Sequence, residues 1–321
     1  MRVRTKAVWV GGLAVIAGLA MTACGQVATL QARKALKEAH ILYQAQDYTR
    51  AAQKYEEVVQ AIDPVNPNPD LAHGYFYLGN SYDNLYRPSR RGEAANDELL
   101  TKAVDNYKLA TERDQDPKLK KLAMQYLVAS YGGDKLNDPA QAEPVLLKMI
   151  EMEPSDAANY FVLSKIYQDA GSYEEAEATL LKAKETTPND STVYMQLASF
   201  YNSQGEFDKT IDALQQRATR EPNNPEAHYT IASYYWDEAF RDFRLNEQQK
   251  RDYVSKGLTE VDQAIKIRPD YIEAITYKGL LLRLQANMEK DVTRQKQLLN
   301  EAEALQARAK ELQKKKTEGI S

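Results

Sequence analysis

Pro154, Pro188 and Pro222 stand 34 residues apart, and Tyr167, Tyr201 and Tyr235 keep the same step, as do Gly171 and Gly205. A fixed period of this length, closed each time by proline, predicts helix–turn–helix units stacked into a solenoid. In such an array each layer contacts only its neighbours, so a chain of 321 residues need not divide into ordinary globular domains. Stacked helix pairs of this kind present a groove to other proteins and rarely carry out chemistry themselves.

The cleanest unit runs from Ala157 to Asp190. Tyr160, Leu163, Ser164 and Tyr167 share one face of its first helix. Gly171 supplies the turn, Tyr173, Ala176, Leu180 and Ala183 form the apolar face of the second helix, and Pro188 ends it. Ser164 and Ala176 are small enough to let the two helices approach closely. The next unit, 191–224, repeats the plan with Tyr194, Leu197, Ala198, Tyr201, Gly205, Phe207, Leu214 and Pro222. The abundance of tyrosine, 21 against 6 Phe and 2 Trp, suits thin layers in which ring bodies pack and hydroxyls reach the wet edge.

Other units are edited. The first covers about 31–64, with Ala39, Leu42, Tyr48, Ala51, Tyr55 and Val58 in register. The second opens with Tyr75, Leu78, Gly79 and Tyr82 and closes with Ala103, Tyr107 and Ala110, an insertion lying between them around 87–92. The third uses Leu127, Tyr131, Ala142 and Pro154. In the sixth, Ile231, Ala232 and Tyr235 are followed by a charged, helix-forming stretch, 236–253, so that its closing Pro269 comes 47 residues after Pro222. This composition predicts longer helices rather than a loose loop. The last unit opens with Ala274, Ile275, Gly279 and Leu282, and a polar helix over about 291–316 covers the final layer. Its ending, Lys314–Lys316, reads as a solvated helix end suited to the helix dipole, with a lipid-headgroup contact as the alternative.

These small and aromatic positions resemble the tetratricopeptide repeat over nearly all of residues 30–316. The resemblance implies an all-α, right-handed superhelical solenoid of about seven helix-turn-helix repeats, elongated at the second, sixth and seventh units and closed by a long C-terminal capping helix. It also implies that one face of each first helix lines a concave groove for a protein or extended peptide. Carried onto this chain, that face comprises His73, Phe76, Asn80, Asp83 and Asn84 in the second unit. It continues as Phe161, Lys165, Gln168 and Asp169 in the fourth and Met195, Ser199, Asn202 and Ser203 in the fifth. The sixth contributes Tyr229, Ser233, Trp236 and Asp237. Packing between layers is the competing role for Phe76, Phe161 and Tyr229, whereas Trp236 is the favoured anchor, tryptophan being enriched at binding hot spots. Members of the family that grip a C-terminal carboxylate use a lysine where this chain has Phe76, Phe161, Met195 and Tyr229, which counts against such a clamp.

At the other end, Arg2, Arg4 and Lys6 precede an uncharged stretch, 7–23, that runs into Met21-Thr22-Ala23-Cys24. A basic start, an apolar core and a small-residue exit describe an export signal over residues 1–23. The sole cysteine after Ala23 resembles the lipobox of bacterial lipoproteins, which implies lipidation of Cys24, a short tether over 24–29 and attachment to a membrane. An uncleaved anchor and plain cleavage leaving a free thiol are the alternatives. Gly25 after the cysteine favours, by the same resemblance, the outer membrane facing the periplasm.

A net charge of −4 argues against a nucleic-acid partner, and one cysteine leaves no internal disulfide. The three histidines, His40, His73 and His228, are dispersed, without metal-ligand spacing, and no phosphate-binding glycine loop or nucleophile–base pair occurs. The expectation is therefore a non-enzymatic scaffold without cofactor, lipid-anchored in a bacterial cell envelope, with a disordered tail at 317–321. A carrier of envelope peptides or glycans is the competing class.

Overall fold

The computed structural model describes residues 11–62 and 68–319, with side chains from residue 28 onward. The side chains of the expected export signal and of Cys24 lie outside the described residues, as do residues 63–67 and the last two of the expected tail. Among the described residues the structure is all-α, with fourteen α-helices, one short 3-10 turn and no strand. The chain divides into two units, Met1–Glu153 and Pro154–Ser321.

Unit 1 holds three helix pairs: α1 (Gly11–Gln44) with α2 (Tyr48–Gln60), α3 (Pro69–Leu85) with α4 (Ala94–Arg113), and α5 (Pro117–Ser130) with α6 (Pro139–Met152). Unit 2 holds four: α7 (Ala157–Asp169) with α8 (Tyr173–Thr186), α9 (Ser191–Ser203) with α10 (Phe207–Arg220), α11 (Pro225–Arg241) with α12 (Glu247–Ile267), and α13 (Ile272–Asn287) with α14 (Val292–Thr317). Within each unit the second helix of a pair also packs on the first helix of the next.

The 34-residue step has a physical origin in unit 2. Helices α7, α9 and α11 start at that spacing because Asp156, Asp190 and Asn224 cap them, each side chain accepting from the backbone N–H two residues on. The recurring prolines end the preceding run, and their carbonyls accept hydrogen bonds from the next helix, Tyr160 to Pro154 at 3.1 Å and Tyr194 to Pro188 at 2.9 Å. The third position of that series is His228, whose Nδ1 instead meets Glu260 at 2.7 Å. Gly171 and Gly205 adopt φ of +79° and +72°, the left-handed turn that a Cβ disfavours. The Ser164 hydroxyl donates to the Ala176 carbonyl at 3.1 Å, the close approach of α7 and α8 expected of those two small residues.

The turn glycine is missing from the sixth repeat, where Ala239 takes its place 34 residues after Gly205. Nothing stops the helix there, so α11 runs for 17 residues against 13 in α9, and α12 for 21 against 14 in α10. A capping box between Asn246 and Gln249 restarts the chain. In the second repeat the insertion lengthens α3 and α4 to 17 and 20 residues and adds the turn Pro88–Arg90. The buried Asn96 pins that turn, accepting from the Arg87 N–H at 2.9 Å and donating to its carbonyl at 3.1 Å. Helix α14 buries Leu298, Ala302 and Ala309 and is otherwise largely exposed. At its end Lys315 pairs with Glu311 at 2.7 Å and Lys314 with Glu318 at 3.7 Å.

Candidate binding surfaces

The second-repeat residues carried over from the family lie on α3, in unit 1, and most of their polar atoms are committed inward. Phe76 and Asn80 are 3% and 2% exposed, so neither offers an open face to a ligand. Both are covered by aromatic rings: Phe76 touches Tyr77, Tyr107 and Tyr126. Asn80 Oδ1 accepts from Tyr43 at 2.6 Å and from Asn84 at 2.8 Å, and its Nδ2 donates to the Tyr107 hydroxyl at 3.3 Å. Lys135 donates to Asp83 at 2.6 Å, and this carboxylate, on a side chain 8% exposed, also accepts from Tyr107 at 3.4 Å. His73 Nδ1 sits 2.9 Å from the fully buried Asp114 carboxylate. Burial, reinforced by Tyr126, Tyr48 and Tyr77, pushes the Tyr43 hydroxyl up to about 12, so it stays a neutral donor across the physiological range. These groups chiefly tie helices together, and the long side chains that cover them from other elements, above all Tyr43, Tyr126 and Lys135, could not be assigned from one helix alone.

In unit 2 the first-helix faces of the regular repeats are more open. Lys165 and Asp169 form an exposed ion pair, and Gln168 reaches the Ser164 hydroxyl at 3.2 Å. Phe161 is half-buried. Met195 receives the Arg217 guanidinium at 3.0 Å, and the buried Arg217 is held by Glu221 at 3.1 Å. Ser199 and Asn202 are exposed, whereas the Ser203 hydroxyl turns back onto the Phe200 carbonyl at 2.7 Å.

The sixth repeat differs. Tyr229, Ser233 and Trp236 lie on one face of α11, and Tyr277 of α13 inserts between the two rings. Ring centroids step from Tyr271 to Tyr229 at 5.4 Å, to Tyr277 at 5.3 Å, to Trp236 at 5.5 Å and to Phe240 at 5.1 Å, the last pair stacked 8° from parallel. The outer end is open: Phe240 is 59% exposed and Phe243 89%. Burial, with Tyr277 and Tyr271 close by, raises the Tyr229 hydroxyl to about 12. Ser233 bonds the Thr230 carbonyl at 2.7 Å, and Asp237 pairs with Arg241 at 2.7 Å. Tyr277, Phe240 and Phe243 are absent from the set read off the sequence. Phe240 was legible there as the residue one turn beyond Trp236, because i and i+4 share a helix face.

Residues 135–200 match the family model described as tetratricopeptide repeat. The C-terminal part of a repeat-containing protein from Cytophaga hutchinsonii superposes with a TM-score of 0.54 at 13% identity, covering 84% of this chain and 95% of that one. The fold is a tetratricopeptide-repeat solenoid. A crystal structure of MamA matches at 22% identity and TM-score 0.40, covering 57% of this chain and 93% of that one. YrrB, described as a repeat protein with an unusual peptide-binding site, matches at 17% identity and TM-score 0.40 over 61% and 89% of the two chains. No curated protein sequence matches the chain. Among the described residues, no helix is long and apolar enough to cross a membrane, and no group of three His, Cys, Asp or Glu residues could hold a metal ion.

Proposed function

We propose that this protein is a non-enzymatic docking scaffold, held on the membrane of a bacterial cell envelope through lipidated Cys24, that engages partner proteins along the aromatic track formed by Tyr229, Trp236 and Phe240 of α11 with Tyr271 and Tyr277. The observation that carries this reading is the aromatic track ending in Trp236 and the exposed Phe240. An exposed Phe240 ring stacked on the half-buried Trp236 adds little to folding, whereas aromatic anchors of this kind dominate interface energetics. Ser199 and Asn202 on α9 and the Asp237–Arg241 pair on α11 supply polar groups for the rim that a non-obligate interface needs. An extended peptide or a short amphipathic helix of a partner fits such a surface. The basic start and apolar run before Cys24 support the membrane half of the proposal, since each buried acyl methylene adds about 0.8 kcal/mol of bilayer affinity.

A photo-crosslinker at Trp236, activated in intact cells, tests the docking. A discrete protein adduct that disappears with Phe240→Ala supports the scaffold; small-molecule adducts alone would replace it with a carrier of envelope peptides or glycans. The anchor has its own test: metabolic palmitate label should be lost in Cys24→Ser, and label that persists unchanged refutes lipidation at this residue.

A further inference from the structure

Within unit 2, each first helix after α7 packs on the second helix of the pair before it, and α13 also touches α11. Among the described residues, no further helix pair packs on α13 and α14. Between α13 and α14 a cavity of about 330 Å³ remains open, its apolar wall formed by Leu280, Ala302 and Ala309 with the Thr276 side chain at the edge. Both charged residues along it are cations, Arg283 from α13 and Lys310 from α14. Arg283 donates to Gln306 at 3.1 Å, while Lys310 forms no ion pair among the described residues.

We propose that this terminal groove is a second docking site, separate from the aromatic track, and that it takes one acidic amphipathic α-helix of a partner protein. The helix-shaped opening follows from the repeat: it is the position a further first helix would fill. The sign of the partner follows from the two cations, for an acidic helix pairs with them as its apolar stripe covers Leu280 and Ala309. A second copy seated face to face would oppose cation to cation, and like charges across an interface are costly. An acidic partner removes that conflict.

The probe is a hydrocarbon-stapled peptide with the sequence of α11, residues 225–241, a first helix from this same chain. Glu226, Asp237 and Glu238 against Arg241 give its side chains a net negative charge. Stapling is needed because so short a helix is marginal in water. Fluorescence anisotropy of the labelled peptide with the full chain should give a Kd on the order of 10 μM. A peptide with lysine at its three acidic positions should bind at least about tenfold more weakly. Lys310→Glu and Thr276→Trp each change a solvent-facing position, and both should weaken binding of the acidic peptide with the helical content unchanged. Arg283→Glu combined with Lys310→Glu should reverse the preference between the two peptides. The proposal is overturned if neither peptide binds at about 1 mM, if these substitutions leave the affinity unchanged, or if sedimentation shows self-association that Thr276→Trp abolishes.

Discussion

Gly79 and Gly279 occupy the same small-residue position in their repeats, yet a methyl group added to each should have opposite consequences. At Gly79 a Cβ would lie 2.9 Å from Tyr107 Cδ1 and 3.0 Å from the Ala103 carbonyl oxygen. Neither neighbour can yield easily: one is backbone of α4, and the other is a fully buried ring whose hydroxyl is bonded to Asn80 and Asp83. At Gly279 the nearest atom is the Ala302 carbonyl oxygen at 3.4 Å, an ordinary contact. Replacing a helical glycine by alanine gains about 1 kcal/mol of backbone propensity at either site. Overpacking a tight core costs about 1–3 kcal/mol. Gly79→Ala should therefore lose about 1 kcal/mol net, and Gly279→Ala should gain about 0.5–1 kcal/mol, a separation of roughly 2 kcal/mol. Urea melts followed by circular dichroism measure the total, and hydrogen exchange of the α3 and α4 amides localises the loss. Equal stability of the two variants, or a loss at Gly279 as large as at Gly79, would refute the reasoning.

Asp190→Ala removes the cap that accepts from the Thr192 N–H at 2.9 Å and should cost about 1 kcal/mol, read as early exchange of the first α9 amides. Lys135→Met strands the nearly buried Asp83 carboxylate and should cost about 2–3 kcal/mol, whereas Lys165→Met at the exposed Asp169 pair should cost less than about 0.5 kcal/mol in the same melts. Burial, with His73 nearby, lowers His40 below its ordinary 6.5, so the folded chain binds that proton less readily than the unfolded one. Stability from this group is present above pH 6.5 and falls as the pH drops through it, and His40→Gln should flatten the pH dependence of the melting temperature between about 5 and 7. Phe243→Ser should shift stability by no more than about 0.5 kcal/mol, because so exposed a ring has almost nothing to lose.

Much of the architecture was legible because a tetratricopeptide layer is built from local instructions. The proline, the turn glycine and the small residues at Ser164 and Ala176 each act within one helix pair, and the period reports them directly. Even the elongated sixth repeat is written locally, as Ala239 in place of a glycine. The binding residues were less legible, since a first-helix position faces either a partner or the neighbouring layer, and one helix cannot say which. Asn80 and Phe76 fit the groove pattern as well as Tyr229 and Trp236 do. They are buried because Tyr43 and Tyr126 come from the first helices on either side to cover them, a property of neighbours rather than of α3. The caps Asp156, Asp190 and Asn224 share the 34-residue step, and their spacing was readable without any structure.

The departures from the period also account for where the aromatic track opens. In the regular fourth and fifth repeats the first helix ends at Gly171 or Gly205, and its length matches the layer it must cover. Loss of the glycine adds four residues to α11 relative to α9, about one turn or 5.4 Å. The groove side of that turn carries Phe240, stacked on Trp236. Ala239, one residue earlier, is buried, so the extension is anchored on one side and free on the other. A helix lengthened only for stability would place charge or amide at the free position, where an exposed phenylalanine adds little to folding and invites association. The insertion thus separates two demands within a single turn: Ala239 holds it to the body, and Phe240 extends the aromatic face outward.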